Sequence, residues 1–559
     1  MRVLLLHPDF PESFWSFRAV LELVGKRALN PPLGLITVAS MLPVDWDLRL
    51  VDCAVRAPEE ADWAFAQVVF ISGMIVQKPS IMALIAEAGR RGIPVVAGGP
   101  YATSVPQDFE QGGADILVLD EAEVTLTPFL AHVKAHGLQR RDSCNPALRF
   151  EAKGEKPDIT VTPVPRFDLL DLQAYDAMAI QYSRGCPFLC EFCDIITLYG
   201  RRPRTKSSAQ ILAELDALLV LGWRGGIFLV DDNFIGNKPN VKKLLPELEA
   251  WQTARGSPFW FDTEASIDLA GDMDLVAAMV RCNFSSVFIG IETPDEDSLK
   301  MTRKHQNNRM PMQDSIDLIT RAGLRVNCGM ILGFDDEKPG AGERIVNFVE
   351  RADIPTALVS ILQALPNTGL WTRLSSEGRL TEGLTGIGQT DLTNFIPTRP
   401  AEEIAREYID AYRKLYAPTA YLDRTARQFL RLGLNPPFDL PSPVKVTIPL
   451  SRNAAQRRAD RAYVWRVARA FTIVTWRQGV VRPSRLRFWI NLWRVGWANP
   501  SRLTTYVAIC AQAEHFIPLT NMLTRAIEAR IAAMPDDRRG LASRHDVGAT
   551  AWKKARTAP

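Results

Sequence analysis

The sequence predicts an α/β protein made of two successive parallel-sheet units and a helical C-terminal third. Three observations carry this. Short apolar runs bounded by turn residues alternate with helical patterns over residues 1–140. The alternation returns from Ala177 to about Leu365, with six strand–helix repeats. From Thr381 it stops, and only helical patterns follow.

In the first unit, Arg2–His7, Asp47–Val51, Val68–Ser72, Pro94–Ala97 and Ile116–Leu119 read as strands. Leu33–Leu42, Ile81–Arg90 and Val124–Ala135 read as the helices between or after them. Ligands of open parallel sheets bind beyond the carboxyl ends of the strands. Three loops fall there: Ser72-Gly73-Met74, Gly98-Gly99-Pro100 and Asp120-Glu121-Ala122-Glu123. Glycine at such ends permits close approach of backbone to a large ligand. No G-x-G-x-x-G is present, so a dinucleotide fold is poorly supported. Residues 141–172, with prolines at 146, 157, 163 and 165, read as a linker carrying at most a short strand, Ile159–Thr162.

The second unit opens with an extended run ending at Tyr182. Strands then follow at Gly226–Val230, Phe259–Glu264, Ser286–Ile291, Arg325–Leu332 and Ala357–Gln363, with helices Ser207–Leu221, Lys238–Ala254, Asp272–Cys282, Met312–Ala322 and Ala341–Ala352 between them. Polar residues cluster at the carboxyl ends of these strands, where barrel active sites collect. They are Asp231-Asp232-Asn233, Glu264-Ala265-Ser266 and Gly290-Ile291-Glu292, with Gly329 within a later strand. The helical third comprises Pro400–Tyr416, Tyr421–Gly433, Asn453–Gln478, Pro483–Trp497 and Pro500–Ile531, the last kinked at Pro518. Pro436–Pro449 is a proline-rich break, and the polar residues after 535 predict a disordered tail.

At 559 residues, 47% hydrophobic and 23% charged, the chain has several domains' worth of core-forming sequence. A net charge of +3 gives no reason to expect a nucleic acid partner. Of eight cysteines, five are scattered without a disulfide-like pattern, which suits a reducing compartment. The N-terminus is too short in apolar residues for a signal segment, and no window is long and apolar enough to span a bilayer. The cytoplasm is the expected location.

The other three cysteines, Cys186, Cys190 and Cys193, lie in one loop at C-x3-C-x2-C spacing, with Phe192 before the last. Thiolates are the usual protein ligands of iron–sulfur clusters. Three thiolates occupy three corners of a [4Fe–4S] cube and leave one iron open for a further ligand. A zinc loop completed by Cys282 or Cys328 is the alternative. The basic residues Arg201, Arg202, Arg204 and Lys206 that follow read either as a solvated face or as contacts to an anionic cofactor or an electrostatic shield for the cluster.

This loop resembles the signature of the radical SAM superfamily. The resemblance implies a partial (β/α)6 barrel whose open iron chelates S-adenosylmethionine and cleaves it to a 5′-deoxyadenosyl radical. It places Phe192, Asp231, Asp232, Asn233, Glu264, Ser266, Gly290, Glu292 and Gly329 as candidate S-adenosylmethionine contacts. Asp231-Asp232-Asn233 stands where the family usually has Gly-Gly-Glu, and paired aspartates equally suit a divalent metal. The first unit resembles the Rossmann-like (flavodoxin-like) cobalamin-binding domain that precedes the barrel in one large class of this superfamily. Asn30-Pro31-Pro32-Leu33-Gly34-Leu35, Asp52, Gly98-Gly99-Pro100 and Glu121-Ala122-Glu123 carry that likeness. It implies cobalamin contacts at Pro32, Leu33, Gly34, Ser72, Gly73, Gly98, Gly99, Pro100, Glu121 and Glu123. The D-x-H-x-x-G motif is absent, so cobalt is expected to have no histidine ligand. A flavodoxin-like domain serving packing or another nucleotide is the competing reading.

The subgroup resembled includes hopanoid methylases, and the resemblance implies methylation of an unactivated carbon by way of the adenosyl radical and methylcobalamin. A ring-forming or oxidative enzyme of the same class is the first alternative, and a metal-stabilised binding protein the second. The substrate is a small molecule or lipid, and an electron donor of flavodoxin or ferredoxin type is implied. The domains expected are 1–140, linker 141–172, barrel 173–375, helical 376–535 and tail 536–559. Residues 465–497 hold five tryptophans among seven arginines, from Arg466 to Arg494. Such helices suit either an anionic bilayer surface, in peripheral contact, or an interdomain core.

Overall fold

The computed structural model describes residues 1–142, 145–302, 304–308, 310–381, 387–433, 465 and 468–534. The first sheet contains β1 (Arg2–His7), β2 (Asp47–Asp52), β3 (Val68–Ser72), β4 (Val95–Gly98), β5 (Ile116–Val118) and β6 (Leu148–Phe150). Its order is β2-β1-β3-β4-β5-β6, parallel throughout. Leu4 and Leu6 of β1 enter the core on one face, Val3 and Leu5 the core on the other. Burial on both faces is what an all-parallel sheet demands. The order reverses between β2-β1 and β3, which places a crevice at the carboxyl ends of β1 and β3.

The chain continues through β7 (Ala177–Ile180), β8 (Ser183–Arg184), β9 (Arg204–Thr205), β10 (Gly225–Leu229), β11 (Phe259–Glu264), β12 (Phe284–Glu292), β13 (Arg325–Leu332) and β14 (Ala357–Ile361). Six of these form the second parallel sheet in the order β14-β13-β12-β11-β10-β7. Its edge strands β7 and β14 do not meet, so the sheet is a partial barrel. Strands β8 and β9 form a separate antiparallel pair at its rim. Local chemistry sets the helix starts between them. Ser207 and Gln210 form a capping box on helix Ser208–Val220, and the Asn237 side chain caps Lys238–Ala254.

Helices Ala401–Leu415 and Pro418–Arg431 close the outside of the last strands. The Tyr412 and Tyr416 hydroxyls donate to the carbonyls of Val359 and Ala357 in β14. Arg424, fully buried, donates to the carbonyls of Ile354, Pro355 and Leu415 and pairs with Glu350. A buried guanidinium is tolerated when its donors find acceptors in this way. Among the described residues no helix is long and apolar enough to cross a membrane.

Several local expectations are corrected. Ile159–Val161 is a 3-10 turn, its Thr160 N–H capped by the Asp158 side chain, and not a strand. The strand inside 141–172 is β6, which extends the first sheet by pairing with β5. The last helical stretch breaks at Gln512 into Leu503–Ala511 and Ala513–Ala532, while Pro518 lies inside the second helix. Residues 468–476 are helical and pass into a π-helical turn, Arg477–Val481. The break Pro436–Pro449, the start of Asn453–Gln478, Arg466 and the tail 536–559 lie outside the described residues.

Candidate functional site

The cysteine loop departs from the carboxyl end of β7 and returns through β9. Asp231, with no exposed surface, fixes the departure: its carboxylate accepts from the Tyr182 and Ser183 amides and the Ser183 hydroxyl. Asp232 accepts from the Gly185 amide at 3.3 Å. Gly185 has φ +92°, and a Cβ there would lie 2.8 Å from the Gly200 carbonyl, so only glycine fits. Cys186 then bonds back to Gly200, and the Cys193 amide donates to the Cys190 carbonyl. Burial pushes the Cys186, Cys190 and Cys193 thiols up, and the thiols raise one another in part. The Phe188 and Ile195 amides act the other way, favouring the Cys186 and Cys193 thiolates. Gln306 points its amide at the Cys190 sulfur, 3.8 Å away. Cys282 donates to the Leu245 carbonyl and Cys328 is buried within β13, so neither completes a zinc loop here. Among the described residues no three His, Cys, Asp or Glu side chains are arranged to hold a metal ion. A cubane instead takes its thiolates on separate irons.

Around the loop stand the carboxylates at the strand ends. Burial, with the Asp231 and Asp194 charges adding to it, pushes Asp232 up to about 7. Burial likewise pushes Asp231 up to about 6. Glu264, at the end of β11, is pushed up to about 8 by burial and by Asp232, Asp231 and Glu292. Among the described residues no cation pairs with Asp232 or Glu264. Asn233 and Ser266 bond each other in both directions across the ends of β10 and β11. Glu292, at φ +67°, pairs with the buried Lys304, whose ammonium lies 5.9 Å from the Phe192 ring centroid. A Cβ on Gly290 would strike that pair, and one on Gly329 would lie 3.1 Å from Phe288.

The first sheet lays its carboxyl edge against this rim. Arg184 of β8 makes 2.9–3.0 Å bonds to Glu121 and Glu123, and Arg204 of β9 holds Glu121 with both terminal nitrogens. Burial alone would raise Glu123; Arg184 beside it holds it below the usual carboxylate range. Asn367 donates to the Ser104 carbonyl, and the Tyr175 hydroxyl donates to Asp52. Glu121 and Glu123 therefore join the two sheets. Arg204 serves the same joint, and Lys206 pairs with the buried Glu214, so neither belongs to a solvated face. A Cβ on Gly98 would lie 2.7 Å from the Val118 carbonyl and one on Gly99 2.2 Å from the Ser72 hydroxyl. The crowding at these glycines comes from the protein itself. Gly34, in the Pro32-Leu33-Gly34 helix start, faces open space.

Residues 180–349 match the model of the radical SAM superfamily, and 368–529 match a domain of unknown function. The chain is 51% identical to an uncharacterized methyltransferase of Synechocystis sp. over 94% of its own length and 93% of that protein. It is 32% identical to the hopanoid C-2 methylase of Rhodopseudomonas palustris, over 87% of its length and 88% of the relative. The chain belongs to the cobalamin-binding radical SAM methylase family. A structure of the cobalamin-dependent S-adenosylmethionine radical enzyme OxsB, with both cofactors bound, shares the fold at a TM-score of 0.55 and 16% identity. That match spans 99% of this chain and 83% of the other.

Membership in this radical SAM family makes the protein an enzyme, a methyltransferase of the class that works with a [4Fe–4S] cluster, S-adenosylmethionine and cobalamin. The donor set fits the first two groups. Three thiols share one loop with amides near their sulfurs, and iron binding would replace the protons that burial keeps on them. Asp232 and Glu264 have free accepting capacity suited to an ammonium and to ribose hydroxyls. For cobalamin the open ground is at Gly34; at the ends of β1 and β3 the buried Gln77 bonds the Met74 amide and the Pro8 carbonyl, and a Cβ on Gly73 would lie 2.9 Å from the Gln77 Oε1. The imidazole at that edge is His7, whose Nδ1 lies 3.1 Å from Asp52. Three residues packed around the cysteine loop and the strand ends escaped the sequence reading. Arg184 and Gln306 carried no motif. Lys304 had only its charge in an otherwise polar stretch to mark it, and its partner Glu292 lies twelve residues away.

Proposed function

We propose that the protein methylates an unactivated carbon of a lipid or other small molecule. Cys186, Cys190 and Cys193 hold the cluster, and the carboxyl edge of the first sheet holds cobalamin above it. One observation carries this reading: Arg184 and Arg204, which frame the cysteine loop, bind Glu121 and Glu123 of the first sheet, so the two candidate cofactor edges are held side by side. When bound, the cluster and cobalamin supply the radical and methyl-transfer chemistry. The chain's own share is positioning. Asp231 clamps the start of the loop, and Asp232 and Glu264 accept hydrogen bonds from S-adenosylmethionine. Lys304 neutralises Glu292 beside the thiols. The likeness to a hopanoid methylase supports a polycyclic or isoprenoid lipid as substrate, and a flavodoxin or ferredoxin supplies electrons. The residues serving cobalamin are drawn from 1–140, and those serving the cluster and S-adenosylmethionine from 173–375.

Anaerobically reconstituted protein tests the reading. Alanine at any of the three loop cysteines is expected to abolish the brown chromophore and S-adenosylmethionine cleavage, while alanine at Cys282 or Cys328 leaves both intact. Cob(II)alamin EPR of the loaded protein is expected to lack nitrogen splitting. Splitting that vanishes in His7→Ala would refute the absence of a histidine ligand. A product heavier by one CH2 is expected, and ring closure without that gain would move the enzyme to the oxidative branch of its class.

A further inference from the structure

One side of the C-terminal helices is covered by indole rings and arginines. Helix Arg485–Ala498 buries Phe488, Asn491 and Val495 against helix Pro418–Arg431, where Asn491 bonds Asp423. At ~100° per residue, its opposite side carries Leu486, Trp489, Ile490, Trp493 and Trp497, all exposed. Trp493 and Trp497 are 69% and 81% exposed and stack on one another at 6.2 Å. Arg487 and Arg494 border this stripe on one side and Arg485 on the other. Arg485 and Arg494 form no ion pair with the described residues. The π-helical turn before the helix adds the exposed Val480 and Val481 to the same end of the molecule.

These rings are not core, which decides between the two readings the sequence left open. An exposed apolar stripe of this kind marks an interaction surface. Its charge says which one. From Arg461 to Ala513 the chain contains nine arginines and no aspartate or glutamate. A second copy of the chain would bring two arginine-bordered stripes together with few acids to answer them. An anionic bilayer answers both features at once. Indole rings favour the boundary between headgroups and acyl chains, and arginine suits lipid phosphate. The helix, ~21 Å long at 1.5 Å per residue, is suited to lie in that boundary and not to span it.

We propose that the stripe Leu486–Trp497 docks the protein on an anionic phospholipid surface, with Trp493 and Trp497 at the acyl boundary and Arg485 and Arg494 on phosphates. The proposal deepens the lipid-substrate reading but needs neither cofactor nor substrate for its test. The full chain is sedimented with phosphatidylglycerol–phosphatidylcholine vesicles and with pure phosphatidylcholine vesicles. Binding to the first alone, reversed by salt, is expected, with tryptophan fluorescence quenched by brominated acyl chains. Trp493→Ala/Trp497→Ala is expected to weaken binding by ~10-fold or more, and Arg485→Gln/Arg494→Gln to remove the preference for anionic lipid. Both should leave the thermal midpoint unchanged, since the replaced side chains are exposed. No vesicle binding, or equal binding by the double tryptophan variant, would overturn the proposal. So would reversible self-association that the variant abolishes, which would assign the stripe to a second copy. Loss of docking with methylation of a soluble substrate intact would leave the enzymatic reading standing.

Discussion

Two sets of carboxylates lie at the carboxyl ends of the two sheets, and they differ in their partners. Glu121 and Glu123, on the first sheet, are closed by the guanidinium groups of Arg184 and Arg204. Asp232 and Glu264, on the barrel, are half-buried and find no cation among the described residues, and both are pushed above the usual carboxylate range. A buried ion pair of good geometry is a structural joint, and removing one partner strands the other charge. A buried acid without a cation destabilises the fold in its ionised form, which a protein tolerates where a ligand is to be met. The first set therefore joins the two sheets, and the second is the set proposed to meet a cofactor.

Breaking the joint gives the largest expected effect. Arg184→Met strands Glu123, whose other bond is to the Thr162 hydroxyl. The cost is expected to be ~3–5 kcal/mol, read as a lower thermal midpoint and faster proteolysis between the sheets. Adding Glu123→Gln in the same chain should recover part of it, because the stranded charge is then gone. No loss in the single variant would show that Arg204 alone carries the joint.

Glu264→Gln sharpens the comparison from the other side. With its folded value near 8, this carboxyl keeps a proton that the unfolded chain releases above its ordinary value of 4.5. Stability of the cofactor-free protein therefore falls as pH rises between those values, and the glutamine variant lacks that slope. At pH 5 the two should melt alike; by pH 8 the variant is expected to lead by ~2–4 kcal/mol. Above pH 8, where the parent carboxyl is ionised, the variant's affinity for S-adenosylmethionine should be lower by ~10-fold or more, one hydrogen bond to a charged group being worth ~1.5–3 kcal/mol. A variant that gains stability and keeps its affinity would remove Glu264 from the cofactor site.

The layout of both sheets was legible because strand periodicity and carboxyl-end polarity are local signals, as Val68–Ser72 and Glu264-Ala265-Ser266 show. The cysteine triplet was legible for the same reason. What escaped depends on long-range partners. Glu121-Ala122-Glu123 reads as a ligand loop until Arg184, sixty-odd residues on, is seen to close it. Gly98 and Gly99 are also required by long-range neighbours that the sequence does not show, since a Cβ on either would meet Val118 or Ser72. β6 is three residues in a proline-bearing stretch, too short for periodicity to register. The tryptophans of Arg485–Ala498 show helical spacing in sequence, but which side is buried is decided by helix Pro418–Arg431.

Glu337 is the intermediate case, with the smallest expected effect. It is fully buried and does have a cation: one carboxylate oxygen accepts from Arg399 at 2.8 Å and from the Gly333 amide at 3.0 Å. Its other oxygen has no partner, and Arg399 is shared with Glu403 and Glu407. Burial consequently pushes Glu337 up to about 7 despite the guanidinium. Glutamine can place its carbonyl where the bonded oxygen sits and its amide where the unpartnered one sits, so it mimics the protonated acid. At pH 5 Glu337→Gln is expected within ~1 kcal/mol of the parent. The carboxyl's folded value is raised, so the parent loses stability as pH climbs from 4.5 toward 7, and the variant should gain ~1–2 kcal/mol on it by pH 8. The slope resembles that of Glu264 in sign but is smaller, and S-adenosylmethionine affinity should not change. Isothermal titration with S-adenosylmethionine, run beside melting curves at both pH values, separates the two acids. Equal losses of affinity in both variants would mean that a raised carboxyl does not distinguish a cofactor site from a poorly completed ion pair in this fold.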